Sequence, residues 1–425
     1  MNYRPISILP CFSKIFERLV FDRLINFLFH HEIVYNAQFG FLLKRSTAHA
    51  VTHLSDLITQ AFERKELAHC TFLDLSKAFD TLDHSILLRK LDHYGIRGVP
   101  LNWFKNYLNN RQQFVHYSKT DSNCSVINCG VPQGSILGPL LFVIYMNDIS
   151  FVKSILVPIL YADDTTLFHS HRSPSKAINV CNEIDKYKSW FNVNKLSLNI
   201  KKTTTVLFSP THNINFDHDE SNLSPSSKFL GVSIDNKLTW QSHIDLVSLK
   251  ISKGIGILNR LKSFIPVRIL VMLYNTLILP YLTYCNIVWG SAYSSRLKRL
   301  FILQKRAIRT VTKSGYCDHT KPLFLRLRTL NIFDLHHYQL AIFMYQYTHN
   351  VLPDVFSNMF SHFSSRTRNA KNYQLPQMRL TLSQHSVRFA GAKVWNNIPS
   401  DIRESPNIQL FKSRFKDYLL QSYSL

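Results

Sequence analysis

The chain has 425 residues, more than one compact hydrophobic core usually serves, so we expect it to divide into two or three units. Hydrophobic residues make up 45% of it and aromatic residues 13%, a composition that excludes a disordered protein. Its 50 Lys and Arg against 27 Asp and Glu give a net charge of +23, which indicates a polyanionic partner or, as the plainer alternative, a basic surface that keeps the protein soluble.

The positive charge is concentrated in the second half of the chain. From residue 241 onward there are 25 basic and 7 acidic residues, a net charge of +18, whereas residues 1–240 hold 25 basic and 20 acidic residues, a net charge of +5. A bias this one-sided favours a nucleic-acid partner over a general effect on solubility.

The cysteines and the apolar runs indicate the cellular compartment in which the protein is expected. The seven cysteines form neither a Cys-x-x-Cys pair nor a zinc-knuckle spacing, and an odd, scattered set is typical of reduced intracellular thiols. The apolar run at 137–149 is interrupted by Pro139, Asn147 and Asp148 and is too short to span a bilayer. We therefore expect an intracellular protein without a membrane partner.

Two amphipathic helices are predicted in the first 70 residues. Apolar residues three and four apart predict a helix over 11–31 with a buried stripe. The stripe consists of Phe12, Ile15, Phe16, Leu19, Val20, Leu24, Phe27 and Leu28. The same spacing predicts a second helix over about 47–67, with Thr47 as its N-cap.

Strands and helices alternate over the next 170 residues. Strands are predicted at 70–75, 114–117, 125–129, 204–208 and 228–234, and helices at 85–91, after Pro100, at 136–149 and at 177–192. The pair of strands at 114–129 forms a hairpin around a polar turn. This mixture predicts an α+β fold with helices on one face of a small sheet.

From residue 243 onward the pattern is mostly helical. In the segment 296–309, Leu297, Phe301 and Ile308 alternate with a basic row of Lys298, Lys305 and Arg309 at helical spacing, so that one stripe packs while its neighbour faces solvent or phosphate. Another helix is predicted near 335–347, and a polar, basic loop is predicted at 361–372.

Two acidic stretches are candidates for chemistry. Asp163 and Asp164 lie between β-leaning runs, which predicts a hairpin with both acids at its tip, and a solvated turn is the plain alternative. Asp74 lies at the end of the strand predicted at 70–75. Acids brought together at strand ends repel one another unless a cation neutralises them, and hard cations such as Mg²⁺ take oxygen ligands. Asp80 and Asp83 follow closely and are interpreted as ordinary acids at a helix N-terminus.

Seven blocks, in order along about 230 residues, resemble the reverse transcriptases of non-LTR (LINE-type, jockey-like) retrotransposons. They are Tyr3-Arg4-Pro5-Ile6-Ser7, Gln38-Phe39-Gly40-Phe41 with Arg45-Ser46-Thr47, residues 72–83, Gly130-Val131-Pro132-Gln133-Gly134-Ser135, Tyr161-Ala162-Asp163-Asp164, Leu198-Asn199 with Lys202-Thr203, and Phe229-Leu230-Gly231. No single block is specific, but their order is. Intron maturases and telomerases fit less well, because residues 72–80 and the long region after 313 favour the non-LTR type.

The resemblance implies a right-hand polymerase fold. It places fingers and palm at 1–235, a helical thumb at 236–312 and a basic, mostly helical region of unknown role at 313–425. Since the family places the first block inside its fingers, we expect this chain to be a fragment that lacks an upstream endonuclease region.

The resemblance also implies the catalytic set. Asp74, Asp163 and Asp164 would hold two Mg²⁺ ions, with Mn²⁺ as the alternative ion, for phosphoryl transfer to a primer 3′-hydroxyl. Asp74 and Asp163 would bind both ions, and Asp164 would bind one or support the site. Lys202 would protonate the pyrophosphate leaving group, although Lys201 beside it competes for this assignment.

Further residues are implied to bind the nucleotide and the primer. Phe79 would close off the 2′ side of the sugar and so favour deoxynucleotides, with a core phenylalanine as the alternative. The residues implied to contact the nucleotide are Arg45, Leu75, Phe79, Gln133 and Gly134. Those implied to contact the primer are Tyr161, Phe229, Leu230 and Gly231, of which the last three resemble the turn that holds the primer end. Pro132-Gln133-Gly134 read without the resemblance is only a turn.

One block departs from the family pattern. The family usually has Arg directly after Gly-Phe and Gly two residues later, whereas this chain has Leu42 and Lys44. The change removes one phosphate-binding cation, which Lys44 is placed to replace.

The sequence therefore predicts an RNA-directed DNA polymerase with an RNA template, a DNA primer and deoxynucleoside triphosphates as partners. Its expected place is the nucleus, where target-primed synthesis occurs, with the cytoplasm as the alternative. The competing hypothesis is a catalytically inactive, nucleic-acid-binding remnant of such an element.

Overall fold

The computed structural model describes residues 6–173, 175–176, 180–210, 223–362 and 372–424. Tyr3, Arg4 and Pro5 of the first block, and most of the basic loop at 361–372, lie outside these residues. Helices and strands are mixed throughout the first half, while the second half is helical, so the predicted α+β class is confirmed.

The helices and strands of the first half follow the predicted order closely. The helices are α1 (Cys11–His30), α2 (Thr47–Glu63), α3 (His84–His93), α4 (Val99–Leu108), α5 (Leu137–Met146) and α6 (Cys181–Val193). The strands are β1 (Leu67–Leu73), β2 (Gln112–Gln113), β3 (His116–Tyr117), β4 (Thr120–Asp121), β5 (Ser125–Val126), β6 (Val157–Tyr161), β7 (Asp164–His171), β8 (Thr204–Phe208), β9 (Ser226–Phe229) and β10 (Val232–Asp235).

Four strands form the central sheet in the order β6-β7-β1-β8. Strands β6 and β7 are antiparallel, with Ile159 opposite Thr166 and Tyr161 opposite Asp164. The side chains of β1 are buried along almost its whole length, as expected of a strand covered on both faces. Because β1 lies beside β7 in this sheet, the end of β1 and the β6–β7 turn are close in space.

Two strand predictions were wrong in their extent. The segment 114–129 contains two small hairpins, in which β2 pairs with β5 and β3 with β4, because positive φ angles at Ser118 and Lys119 make a tight turn earlier than predicted. The single strand predicted at 228–234 is instead the antiparallel hairpin β9–β10, whose turn is formed by Leu230 and Gly231 at φ 47° and 84°.

The chain divides into two compact units. The first comprises the described residues of 1–46, 69–169 and 173–205, and the second those of 47–68, 170–172 and 206–425. These units do not test the predicted boundaries at 235 and 312, which stay predictions.

The core of the first unit surrounds α5, whose residues are nearly all buried. Glu17 of α1 is itself buried and accepts hydrogen bonds from the Tyr107 hydroxyl (2.9 Å) and the Ile136 amide (2.7 Å). A carboxylate at this position satisfies an amide that would otherwise be unpaired at the start of α5. Glu17 therefore anchors α1 to the helix that follows the Gly130–Ser135 block.

The buried stripe predicted for α1 was wrong in its first half. Leu24 and Leu28 are buried, but Phe12, Ile15, Phe16 and Leu19 are more than half exposed. Periodicity identifies an apolar face without identifying what covers it.

The second unit is largely helical beyond β10. Its helices are α7 (Gln241–Leu261), α8 (Val267–Leu277), α9 (Leu279–Thr283), α10 (Asn286–Trp289), α11 (Ser294–Thr312), α12 (Lys321–Arg326), α13 (Ile332–Thr348), α14 (Thr381–Gln384), α15 (Val387–Asn397), α16 (Ser400–Arg403) and α17 (Ile408–Gln421). In α11, Leu297 and Ile308 are buried and Lys298 is exposed, which confirms the predicted stripe for these residues. Among the described residues, the helices lack the combination of length and apolarity needed to cross a bilayer.

Helix α2 belongs to the second unit. Its Asp56 forms an ion pair with Arg388 of α15, with both guanidinium nitrogens within 3.1 Å of the carboxylate and little exposure of either side chain. Two parallel charge-assisted bonds of this kind are stronger than a single contact. The pair ties residues more than 300 positions apart in sequence.

Three histidines of the second unit, the buried His243 and His336 and the half-buried His53, have low pKa values. Burial lowers the pKa of His53 to about 4, against an opposing effect of Asp56, and it lowers the pKa of His243 to about 4 with help from Lys250. Burial also lowers the pKa of His336 to about 3, although its bond to the Asn286 carbonyl (3.0 Å) acts in the opposite direction. Each histidine is thus neutral in the folded protein at pH 5.

Acidification from pH 7 to pH 5 is expected to lower the free energy of unfolding of this unit. An unfolded histidine has a pKa near 6.5, so between pH 6.5 and the folded values the unfolded chain binds more protons, and stability falls as the pH falls. The loss is on the order of 1–2 kcal/mol for each histidine by pH 5. Urea unfolding at both pH values measures it. A His336→Gln variant keeps the hydrogen-bond donor but cannot titrate, and an unchanged pH dependence in this variant would contradict the assignment.

Candidate active site

The two adjacent acids lie where β6 turns into β7, as predicted. Tyr161 is the last residue of β6, Asp164 is the first of β7, and the turn between them consists of Ala162 and Asp163. Ala162 has a φ of 56° and is buried, whereas Asp163 is half-buried and Asp164 is exposed. The two adjacent carboxylates therefore differ in their exposure to solvent.

The Gln38–Phe41 block holds this turn from behind. The Gln38 side-chain oxygen accepts from the amides of Gly40 (2.8 Å) and Ala162 (3.1 Å). The Phe39 amide donates to the Leu160 carbonyl (2.7 Å), and the Leu160 amide donates to the Ala37 carbonyl (2.9 Å). A buried amide oxygen with two donors fixes the position of both backbones.

Gly40 permits this close approach. A Cβ atom at residue 40 would lie 2.3 Å from the Ala162 backbone nitrogen, inside any tolerable contact distance. Since the obstacle is backbone, it cannot rotate away as a side chain would. The glycine of this block is thus required by the turn that carries Asp163.

Asp74 directly follows β1 and is held by Asn199. The Asn199 amide group donates to the Asp74 Oδ2 (3.2 Å), and the Asn199 backbone amide donates to the Asp74 carbonyl (2.8 Å). Lys202 Nζ lies 3.4 Å from the same Oδ2, in an exposed pair of the kind that contributes little stability. The predicted Leu198–Lys202 block therefore supports Asp74 directly.

Asp74 and Asp163 line one cavity of about 490 Å³. Seven of the predicted site residues contribute to its wall, namely Asp74, Leu75, Phe79, Gln133, Gly134, Asp163 and Lys202. Phe79 stacks on Phe142 with ring centroids 4.5 Å apart, which fixes its ring at the edge of the core. Three other predicted site residues of the first unit do not belong to the described wall of the cavity, namely Arg45, Tyr161 and Asp164.

Eight residues of the wall were not predicted as site residues, and two of them make side-chain contacts that bear on the site. Asp80 Oδ1 accepts from Gln133 Nε2 (2.7 Å), and Asn199 holds Asp74 as described above. Asn199 stands in a recognised block, so its polar side chain three residues before Lys202 was an available signal. Asp80 was interpreted as a helix-terminal acid because sequence does not show which way a side chain between β1 and α3 points.

The interpretation of Asp83 as a structural acid agrees with its contacts. It caps α3 by accepting from the Ile86 amide (3.0 Å) and pairs with Lys195 (2.6 Å). Although burial acts to raise the pKa of Asp83, the bonds from Lys195, Ser85 and the Ile86 amide hold that pKa well below its usual value.

Arg45 is anchored by backbone oxygens. Its Nη1 donates to the carbonyls of Tyr35 (3.1 Å), Asn36 (2.8 Å) and Gln38 (2.5 Å), which braces the loop that carries Gln38. The predicted contact of Arg45 with a triphosphate stays a prediction.

The departure at residues 42 and 44 also has a structural consequence. Leu42 is buried in the core of the first unit, so this chain replaces a cation by a packed apolar side chain. Lys44 is exposed and adopts a φ of 61°, the left-handed region in which glycine is favoured.

The predicted primer-contacting residues lie in the second unit. Leu230 and Gly231 form the β9–β10 turn, and the Tyr284 hydroxyl donates to the Leu230 carbonyl (2.6 Å). The Tyr284 ring also packs beside Gly231. This turn is therefore held in shape within its own unit.

The cavity suits a divalent cation only in part. The described residues contain no group of three or more His, Cys, Asp or Glu side chains arranged to hold a metal ion. Mg²⁺ at phosphoryl-transfer sites is commonly bound by one or two carboxylates together with substrate phosphates. The two hard carboxylates of Asp74 and Asp163 fit such a shared site, and the predicted three-aspartate set stays a prediction.

Similarity to known proteins covers most of the chain. Residues 1–234 match the family described as reverse transcriptase (RNA-dependent DNA polymerase). The "Probable RNA-directed DNA polymerase from transposon BS" of Drosophila melanogaster is 31% identical over 341 residues, covering 74% of this chain and 36% of that protein. The RNA-directed DNA polymerase from mobile element jockey of the same organism is 28% identical, covering 76% of this chain and 37% of that protein. The chain thus spans a little over a third of the length of these relatives.

Among solved structures, the telomerase of Candida albicans in complex with a fragment of telomeric RNA aligns with this chain at 13% identity and a TM-score of 0.45. The alignment covers 75% of this chain and 59% of the telomerase.

Replacing Gly40 by Ala is expected to destabilise the protein by about 3 kcal/mol or more, the upper range for an overpacked site, because the added methyl must displace the Ala162 backbone. Thermal unfolding measures the loss. Gly256→Ala is the matched control, since a Cβ at this helical position meets nothing within 4 Å and should stabilise by about 0.5–1 kcal/mol. Equal stability of Gly40→Ala and the parent would show that the turn is not packed as described.

Proposed function

Because the chain belongs to the reverse transcriptase family, we propose that it is an RNA-directed DNA polymerase that extends a primer 3′-hydroxyl with deoxynucleotides in retrotransposon replication. The observation that carries the proposal is the shared cavity, on whose wall Asp74 from the end of β1 and Asp163 from the β6–β7 turn lie together. These two residues are 89 positions apart in sequence, and the fold brings them to one concave site.

The site is suited to phosphoryl transfer in a specific way. Divalent ions, when bound there, would activate the primer hydroxyl and neutralise the charge on the transferred phosphate. Asp74 and Asp163 supply ionised oxygens for this purpose, and Asn199 and Gln38 hold them in place. Asp164, exposed at the start of β7, would act as a further ligand or support.

The side chain of Lys202 on this wall is proposed to have a separate role. Lys202 is exposed, and its Nζ lies 3.4 Å from Asp74, from where it would deliver a proton to the leaving pyrophosphate. In the free protein its ammonium offsets part of the negative charge of the aspartates.

The rest of the wall is proposed to bind the incoming nucleotide. Phe79 is held against Phe142 and would exclude a 2′-hydroxyl, so that deoxynucleotides are preferred. Leu75, Gln133 and Gly134 would line the nucleotide, and Gly134 is exposed. Arg45 would contact the triphosphate.

The proposal extends to the partners and the location. The RNA template and DNA primer are polyanions that match the net charge of +23. Tyr161 and the turn formed by Phe229, Leu230 and Gly231 would contact the primer. Target-primed synthesis would place the protein in the nucleus.

A second candidate function is nucleic-acid binding without turnover. It is favoured by Leu42, which fills the core where the family usually has a cation, and by the strongly basic second half of the chain. This candidate predicts RNA binding that weakens steeply with salt and does not depend on the aspartates.

Primer extension separates the two candidates. The purified chain with an RNA template, a DNA primer, deoxynucleotides and Mg²⁺ or Mn²⁺ is expected to extend the primer. Asp163→Asn should reduce the rate by at least about a hundredfold, because it removes an ionised oxygen that would hold the divalent ions that neutralise the transferred phosphate. Asp185→Asn is the matched control, since Asp185 pairs with Lys188 on the exposed side of α6.

Undiminished extension by Asp163→Asn would refute the role of this carboxylate. Salt-sensitive RNA binding that is equal in both proteins, with no extension by the parent chain, would establish the binding remnant instead.

A further inference from the structure

A third carboxylate on the wall of the cavity contacts a residue of the Gly130–Ser135 block. Asp80 is half-buried, and its Oδ1 accepts a hydrogen bond of 2.7 Å from the side-chain nitrogen of Gln133. We propose that Asp80 is a positioning residue, which orients the Gln133 side-chain amide so that its oxygen faces the nucleotide. The inference rests on the proposed function and adds a specificity determinant to it.

The chemistry of the contact allows only one orientation of the amide. An ionised carboxylate accepts hydrogen bonds and donates none, so Gln133 must turn its nitrogen toward Asp80. Its oxygen then points away from Asp80 and is available as an acceptor. An amide without such a partner can flip and present either a donor or an acceptor to a ligand.

The backbones on both sides of the contact are fixed. The Gly130 amide donates to the Leu82 carbonyl (2.7 Å), and the Val131 amide donates to the Phe79 carbonyl (3.0 Å). Gly130 has a φ of 82°, and a Cβ there would lie 2.7 Å from the Asp80 carbonyl oxygen. The segment that contains Gln133 is thus hydrogen-bonded to the segment that contains Asp80.

Gln133 is also held from its other side. The Ser7 amide donates to the Gln133 carbonyl (2.7 Å), and a Cβ at Gly134 would lie 2.9 Å from the Ser7 carbonyl oxygen. The Gln133 backbone is bonded to Ser7, and neighbouring residues of its block are bonded to the segment 79–82. The remaining freedom of Gln133 is that of its side chain, and Asp80 restricts it.

The orientation has a consequence for substrate recognition. Apart from its base, a deoxynucleoside triphosphate carries one neutral hydrogen-bond donor, the 3′-hydroxyl of its sugar. An acceptor fixed on the cavity wall would recognise this hydroxyl and disfavour a nucleotide that lacks it, because the bound nucleotide would then leave the acceptor without a partner. Asp80 would therefore govern the preference for deoxynucleotides over 2′,3′-dideoxynucleotides.

Asp83 provides a matched control three residues away. It has the same side chain on the same connecting segment, but its carboxylate caps α3 and pairs with Lys195. It does not belong to the described wall of the cavity. Asp83→Asn should therefore lower stability without changing nucleotide selection.

Nuclear magnetic resonance of the full chain with ¹⁵N-labelled glutamine tests the contact without turnover. The Gln133 side-chain signals are identified by their loss in Gln133→Ala. In the parent protein, the proton bonded to Asp80 is expected downfield of its partner, and in Asp80→Ala the two protons should move toward the positions of a free amide. Signals unchanged in Asp80→Ala would overturn the inference, whether or not the chain is an active polymerase.

Primer extension then tests the consequence for specificity. Asp80→Ala is expected to raise KM for a deoxynucleotide about fivefold to tenfold, as the loss of one charge-assisted hydrogen bond does, with a smaller effect on kcat. The preference for deoxynucleotide over dideoxynucleotide should fall by a similar factor. Asp80→Asn should lie between Asp80→Ala and the parent, because its oxygen can still accept from Gln133.

The double variant Asp80→Ala/Gln133→Ala should be no worse than Gln133→Ala, since Asp80 acts through Gln133. Additive losses, or an unchanged nucleotide preference in Asp80→Ala, would overturn the positioning role in an active polymerase. Failure of the parent to extend any primer would instead count against the proposed function, and the resonance measurement would still decide whether Asp80 holds Gln133.

Discussion

The structure of the first unit depends on keeping two like charges at one concave site. Asp74 and Asp163 come from separate strands and repel one another in the absence of a cation, so the folded chain must hold each of them by other bonds. Asn199 holds Asp74 through its side chain and its backbone amide, and Gln38 holds the turn that carries Asp163. A site prepared in this way would lose little conformational freedom on binding the proposed cation and nucleotide.

This constraint explains why blocks that are far apart in the sequence are all present in one chain. The blocks around Gln38 and Asn199 contribute mainly support, since their contacts go to the backbone and side chain of the two aspartate segments. The Gly130–Ser135 block is supported in turn by Ser7 and by the segment that follows β1. Chemistry is thus confined to a few side chains on the cavity wall, while most residues of the blocks determine where these side chains lie.

Sequence patterns predicted the parts of the fold that local physics determines. The hairpin around Asp163, the strand that ends before Asp74 and the helices α2 to α6 were all expected, because hydrophobic period and turn residues identify them. Exposure of Phe12 and Phe16 on α1 was not predictable, since periodicity does not show whether a partner surface exists. The residue pattern missed the β9–β10 turn, because Leu230 adopts a positive φ that its residue type does not favour, whereas the family resemblance implied a turn at Phe229-Leu230-Gly231. The contacts of Asp80 and Arg45 depend on side-chain direction in loops, which only the tertiary structure determines.

The central claim is that Asp74 and Asp163 together bind divalent ions at the cavity. Electron paramagnetic resonance of Mn²⁺, titrated into the chain with a deoxynucleoside triphosphate present, measures this binding directly and does not require turnover. The account predicts that Asp74→Asn and Asp163→Asn each weaken Mn²⁺ binding by at least about tenfold, the effect of removing one ionised oxygen ligand. Mn²⁺ binding in both variants that equals binding in the parent chain would contradict it.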